Sequence, residues 1–122
     1  MLSEEREKFY KTNKMFIIAA MRLYRSVCLA EYLVTEASGS LVEGENCAQG
    51  KWFAESYTDV LAWSPKLGYS LPYYIVVVDI PEDIAHVMYR QEYLDTVGPA
   101  RFLEPEEFVY ATIVDLITVH KL

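Results

Sequence analysis

The stretch YYIVVVDIP, residues 73–81, constrains this chain more than any other. Its β-branched and aromatic residues suit a pleated backbone, and its apolar run is unbroken rather than alternating. A strand that is apolar on both sides must be covered on both sides. The fold therefore needs a sheet with this strand in a central position, and enough other elements to bury two faces. The chain has 122 residues, of which 52% are apolar and 24% charged. That is the size and balance of one globular domain with a real core.

The remaining elements follow from periodicity and punctuation. Residues 1–14 are polar and read as a surface arm or short helix. Apolar residues beginning at Met15 predict a strand over 16–26; a helix running on from the N-terminus through Met21 is the competing reading. Leu29, Tyr32, Leu33 and Ala37 recur at helical spacing, so 28–38 is an amphipathic helix with Ser26 as its cap and Gly39 as its stop. Residues 39–50 read as a loop with a short strand at Leu41–Val42. A strand over 51–54 leads into Ser56, three residues before Asp59, the spacing of a helix cap. The helix it opens, 57–63, should end before Pro65.

After the central strand, Pro81-Glu82-Asp83 opens a helical turn, 86–93 is extended, 94–100 turns and 101–104 is a short strand. Pro105-Glu106-Glu107 starts another turn, and 112–119 is a closing strand. Helices in the first half and strands in the second predict an α+β fold. Its sheet should be mixed but mostly antiparallel, in two halves, with two or three short helices, over a single domain spanning 15–122.

Composition narrows the function. The net charge is −7 and the eleven Lys and Arg are scattered, with a mild cluster at Arg6, Lys8, Lys11 and Lys14. A protein that grips nucleic acid needs a basic face, so nucleic acid is not the expected partner. Two cysteines, Cys28 and Cys47, make no disulfide framework, and His86 and His120 have no zinc-site spacing. No metal is expected. The N-terminus lacks the apolar core of a signal peptide, and MFIIAAM is too short to span a bilayer. The expectation is a cytoplasmic protein without a membrane partner.

Two stretches stand out as candidate chemistry: RLYRSV at 22–27 and GKWFAES at 50–56, each ending a strand and feeding a helix. A third, Glu104-Pro105-Glu106-Glu107, is acidic and follows a strand. In order and spacing these features resemble the ADP-ribosyltransferase family, the small α+β fold of bacterial toxins and related enzymes. Leu23-Tyr24-Arg25 is similar to that family's first strand end. Gly50-Lys51-Trp52-Phe53-Ala54-Glu55-Ser56, with Ala62-Trp63 after it, is similar to its second strand and helix. Tyr73 to Pro81 is similar to its third strand. The resemblance covers about residues 22–119.

What the resemblance implies is a toxin-like, NAD-consuming transferase. Nicotinamide leaves ribose through an oxocarbenium-like transition state. Arg25 would pair with the NAD diphosphate. Tyr24, Gly50, Lys51, Phe53 and Ser56 would line the NAD site, Phe53 by stacking on nicotinamide. Ser56 would organise the site, and an acid would stabilise the developing positive charge. Glu106 is the favoured acid, with Glu104 and Glu107 as alternatives. Aligning Phe102-Leu103-Glu104-Pro105 with the family's closing phrase, however, puts Arg101 in the acid's slot. The implied target is a macromolecule, a protein first. RNA 2′-phosphotransfer on the same fold would want more basic residues than a net charge of −7 supplies.

Without the resemblance the same residues have plainer readings. Arg25 is then a strand-end arginine and Ser56 only a cap. Trp52 and Phe53 alternate across a strand, so one of them is core. The glutamates at 104–107 are then a solvated turn. The functional alternative is a catalytically degenerate binding module on the same fold, with the closing strand available for oligomer formation.

Overall fold

The computed structural model describes residues 19–44 and 50–122. The predicted arm over 1–14, the beginning of the predicted first strand, and Cys47 lie outside the described residues. Among the described residues there are six strands: β1 (Ala20–Val27), β2 (Lys51–Ala54), β3 (Tyr73–Pro81), β4 (Tyr89–Leu94), β5 (Gly98–Leu103) and β6 (Thr112–Val119). Helices α1 (Leu29–Ser38) and α2 (Tyr57–Lys66) follow β1 and β2. A single turn, α3 (Glu82–Ala85), follows β3, and a 3-10 turn (Pro105–Tyr110) follows β5.

The strands form one sheet in the order β4-β5-β2-β1-β3-β6. Every pairing among them is antiparallel, so the expected mixed sheet is not what forms. The reason lies in the connections. Register places the start of β2 beside the end of β1, so α1 and the loop after it return the chain to the end of the sheet it left. A parallel partner would need a crossover that traverses the sheet once.

The expected division into halves is visible in the register. β1, β3 and β6 pair along most of their length, and so do β4, β5 and β2. Between the two trios, β1 and β2 share one registered pair, Tyr24 with Ala54.

Strand β3 explains why both faces are covered. Val76, Val78 and Ile80 point to one face, where they pack with Leu23, Val27, Phe53 and Leu103 beneath Ile84, Met88 and Phe108. Ile75 and Val77 point to the other, where they pack with Ala54, Ala100 and Val119 beneath Val60 and Trp63 of α2. Unbroken apolarity thus reports burial on two faces, as expected. In position, β3 is one strand from the β6 edge rather than in the middle.

Local expectations differ from the structure at four points. The cap of α1 is Cys28, whose Sγ accepts the Glu31 N–H at 3.5 Å, not Ser26. Ser26 lies on the α2 face, where its hydroxyl meets Ser64 Oγ at 2.7 Å in the interior. Ser64 donates its own proton to the Val60 carbonyl at 3.0 Å, so Ser26 is the donor of that pair. No strand forms at Leu41–Val42; Leu41 instead anchors its loop in the core. Helix α2 runs past Ala62-Trp63 to Lys66, with Pro65 in its last turn. Pro65 has no N–H to return to the Leu61 carbonyl, and the Lys66 side chain ties this turn to Asp95 O and Thr96 Oγ1 at 3.0 and 2.8 Å.

Phe53 has no exposed surface and sits where both trios meet the core. Phe53→Ala is expected to cost about 3–5 kcal/mol, the range for deleting a buried ring. Urea denaturation measures it; a loss below about 1 kcal/mol would mean the site collapses freely and the two trios are not packed through Phe53.

Candidate functional site

The single pair between β1 and β2 leaves polar backbone to be satisfied. Beyond Tyr24 and Ala54 the strands part toward the end where β1 stops and β2 begins. Arg25 stands at this division. Its Nη1 donates to the Trp52 carbonyl at 3.2 Å, on the β2 edge that faces β1. A side chain thus supplies the donor that a continuing ladder would have supplied from backbone.

The rest of the Arg25 guanidinium is held by Glu31 of α1. Nε and Nη2 donate to Oε2 and Oε1 at 2.8 and 3.0 Å, a two-pronged arrangement. Lys51 completes the cluster, its Nζ 3.1 Å from Glu31 Oε2. The Lys51 side chain is 1% exposed, and those of Arg25 and Glu31 are 16% exposed. Lys51 Nζ also lies 5.7 Å from the centre of the Phe108 ring. Two cations thus meet the Glu31 carboxylate where β1 and β2 part, nearly out of water.

Gly50 makes this packing possible. Its φ is +103°, and a Cβ there would stand 2.3 Å from the Leu103 carbonyl oxygen and 2.8 Å from the Phe102 ring. Any side chain at 50 would push β2 away from β5 and carry Lys51 with it.

The other expected site residues are distributed more widely. Tyr24 faces the opposite side of the sheet from Arg25, as neighbours on a strand must. It meets Tyr57 edge-on, ring centres 6.0 Å apart, in a cleft of about 330 Å³ lined also by Arg22, Val77, Val114, Asp115 and Ile117. Phe53 is core. Its neighbour Trp52 takes the other face and packs on Phe102 and Tyr89, at 5.1 and 5.8 Å between centres. Ser56 caps α2 as expected, accepting the Asp59 N–H at 3.1 Å. It sits at the far end of β2 from Lys51. The structure therefore brings Arg25, Gly50 and Lys51 together and leaves Ser56 and Tyr24 apart from them.

The acidic stretch begins one residue past Leu103, which pairs with Lys51, so it emerges at the cluster's end of the sheet. Glu107 is committed to the turn, its Oε1 accepting the Glu104 N–H at 2.9 Å. Glu104 and Glu106 are exposed. Arg101, which the motif resemblance would put in the acid's place, is buried. It donates to Glu55 Oε2 at 2.7 Å and to the Ala85 carbonyl at 2.5 Å. Arg90 Nε reaches the same Glu55 oxygen at 2.8 Å.

Glu31 and Glu55 were not singled out by sequence reasoning. Glu31 sits six residues after Arg25, and Glu55 lies inside GKWFAES, but neither spacing marks an ion pair between different elements. Burial pushes the Glu31 carboxyl up; hydrogen bonds and charge from Arg25 and then Lys51 outweigh it and hold it below the ordinary 4.5. Burial likewise pushes Glu55 up, and its hydrogen bonds to Arg90 and Arg101, with their charges, hold it low.

Among the described residues no three His, Cys, Asp or Glu side chains are grouped to hold a metal, and no helix is long and apolar enough to cross a membrane. Compared with protein-family models, curated proteins and solved structures, the chain has no match.

A carboxylate with a depressed folded pKa contributes stability above its unfolded value, and that contribution is lost as pH falls through the folded one. Acidification below about 4.5 should therefore lower the urea midpoint progressively. A Glu31→Gln/Glu55→Gln variant should start lower at neutral pH and lose less of its remaining stability on acidification. Parallel curves for the two proteins would show that these carboxylates do not carry the acid sensitivity. Ser56→Ala should cost about 1 kcal/mol by the same measurement, the worth of a cap.

Proposed function

We propose that the chain binds NAD at the division between its two strand trios, with the diphosphate on Arg25 and Lys51, and that it is an ADP-ribosyltransferase-like domain acting on a macromolecular target. The observation that carries this reading is the pair of cations gathered where β1 and β2 part. A diphosphate needs a fork of donors and a second positive charge. Arg25 offers the fork and Lys51 the charge. The location agrees with the motif resemblance, which independently assigns Arg25, Gly50 and Lys51 to the NAD site.

In this reading Gly50 lets the backbone approach closely, and Ser56 fixes the corner between β2 and α2 rather than touching ligand. The transfer would break the bond between nicotinamide and ribose, and the protein's task is to hold a negative charge near the ribose as positive charge develops. Glu104 and Glu106 are the carboxylates whose emergence beside the cluster fits that role. Glu106 is retained as the first candidate, because Glu107 is tied into its turn.

A second reading, a binding module without transfer activity on the same fold, is favoured by one specific feature. The residue aligned with the family's acid is Arg101, and it is paired with Glu55 and built into the interior.

Thermal unfolding with and without NAD tests the shared part of both readings. NAD at tenfold its Kd adds about 1.4 kcal/mol and raises the melting temperature. Arg25→Ala is expected to remove that shift. Absence of any shift at millimolar NAD would sink both readings. Nicotinamide release then separates them: release abolished by Glu106→Gln supports transfer chemistry, and binding without release supports the module.

A further inference from the structure

We propose that the cleft beside Tyr24 and Tyr57 binds a small organic cation of the alkylammonium class, with the two rings as its walls and Asp115 as its counter-charge. The cleft has a volume of about 330 Å³ and opens on the α2 face of the sheet. That size falls within the range of small-molecule sites. Arg25 points to the other face, so this site is separate from the proposed NAD site and does not rest on it.

An irregularity in β6 builds the cleft. Asp115 pairs with Val77, and Ile113 with Val78, so Val114 is an extra residue in β6. On a regular strand Val114 and Asp115 would point to opposite faces; at this bulge both line the cleft. The apolar floor is Val77 and Ile117. Tyr24 reaches the cleft from β1. Tyr57 reaches it from the first position of α2, a helix end that the Ser56 cap fixes. The two ring centres are 6.0 Å apart and their planes meet at 62°, so the rings form a corner rather than a stack. Aromatic faces carry negative partial charge and attract a cation placed over them.

The charges around the cleft favour the same sign of ligand. Arg22 is the one basic residue among those lining it. Its Nε and Nη2 donate to Asp79 Oδ1 and Oδ2 at 2.9 and 3.0 Å, so its charge is matched before any ligand arrives. Asp115 is exposed, and its Oδ1 accepts the Leu116 N–H at 2.9 Å. Among the described residues no Lys, Arg or His forms an ion pair with it. One guanidinium against two carboxylates leaves one negative charge unmatched. An anion would be repelled by Asp79 and Asp115, whereas an ammonium ion sets its charge between a carboxylate and the two rings. The apolar floor suits alkyl groups on the nitrogen. A metal ion lacks those groups, and no three His, Cys, Asp or Glu side chains are grouped to hold one among the described residues.

Choline is the probe, titrated calorimetrically into the full chain at constant ionic strength, beside dimethylbutanol, its uncharged carbon isostere. Choline is expected to bind in the millimolar range, and dimethylbutanol about fivefold more weakly or worse. Asp115→Asn keeps the shape and the acceptor for the Leu116 N–H but removes the charge, and should weaken choline binding about fivefold. Tyr57→Leu should weaken it to a similar degree, while Tyr57→Phe, which keeps the ring, should bind as wild type does. Phosphocholine distinguishes a free cation from a phosphorylated headgroup: its phosphate should weaken binding, because the charge around the cleft is already negative. Absence of choline binding at tens of millimolar overturns the proposal, as does dimethylbutanol binding equal to that of choline. Equal or tighter binding of phosphocholine overturns it too, and so does unchanged choline affinity in an Asp115→Asn variant whose circular dichroism is native. Should Tyr57→Leu fail to fold, nuclear Overhauser contacts between choline methyl protons and tyrosine ring protons of the wild-type chain take its place. Their presence supports the site, and their absence overturns it.

Discussion

The fold depends on how one sheet tolerates an interruption in its middle. Two trios of strands are each well paired, yet they meet at a single registered position, Tyr24 with Ala54. Backbone groups left along such a seam must find partners or face solvent. Arg25 resolves this by reaching across to the Trp52 carbonyl, and it is steadied by Glu31 from the helix above. A long cationic side chain can do this because its fork serves two acceptors in different directions. Lys51 joins the same carboxylate from β2, so the place where the strands part gathers two cations around Glu31.

A comparable solution recurs at the outer trio. Glu55 follows β2 directly and is gripped by Arg101 from β5 and Arg90 from β4, while Arg101 also holds the Ala85 carbonyl at the end of α3. Each cluster sets a carboxylate against two cations carried on different elements. The Glu31 cluster is the less exposed of the two, with the Lys51 side chain at 1% and those of Arg25 and Glu31 at 16%, against 36% and 22% for Arg90 and Glu55.

Much of the fold was legible because it rests on local signals. The apolar run of β3 announced two buried faces, Gly39 with φ of 68° ends α1, and Ser56 caps α2. The misreadings have a common cause. Ser26 looks like a cap by position, but strand alternation turns it to the α2 face, and a cysteine with a weak acceptor takes the cap. Pro65 looks like a terminator, but tertiary bonds from Lys66 hold the turn around it. Of the candidate site, Arg25, Gly50 and Lys51 do converge. Glu31 was not visible as their partner because the pairing depends on how α1 folds back over β1, a fact of packing rather than of spacing.

The thin seam has a consequence for motion. Local opening follows the path of fewest buried backbone bonds. In this sheet that path runs between β1 and β2, where one pair and a side-chain bridge replace a ladder. Amide hydrogens along the seam should exchange by a separation of the trios that leaves β3 and its neighbours closed. The domain can therefore breathe along one line without melting, and that line passes through Arg25.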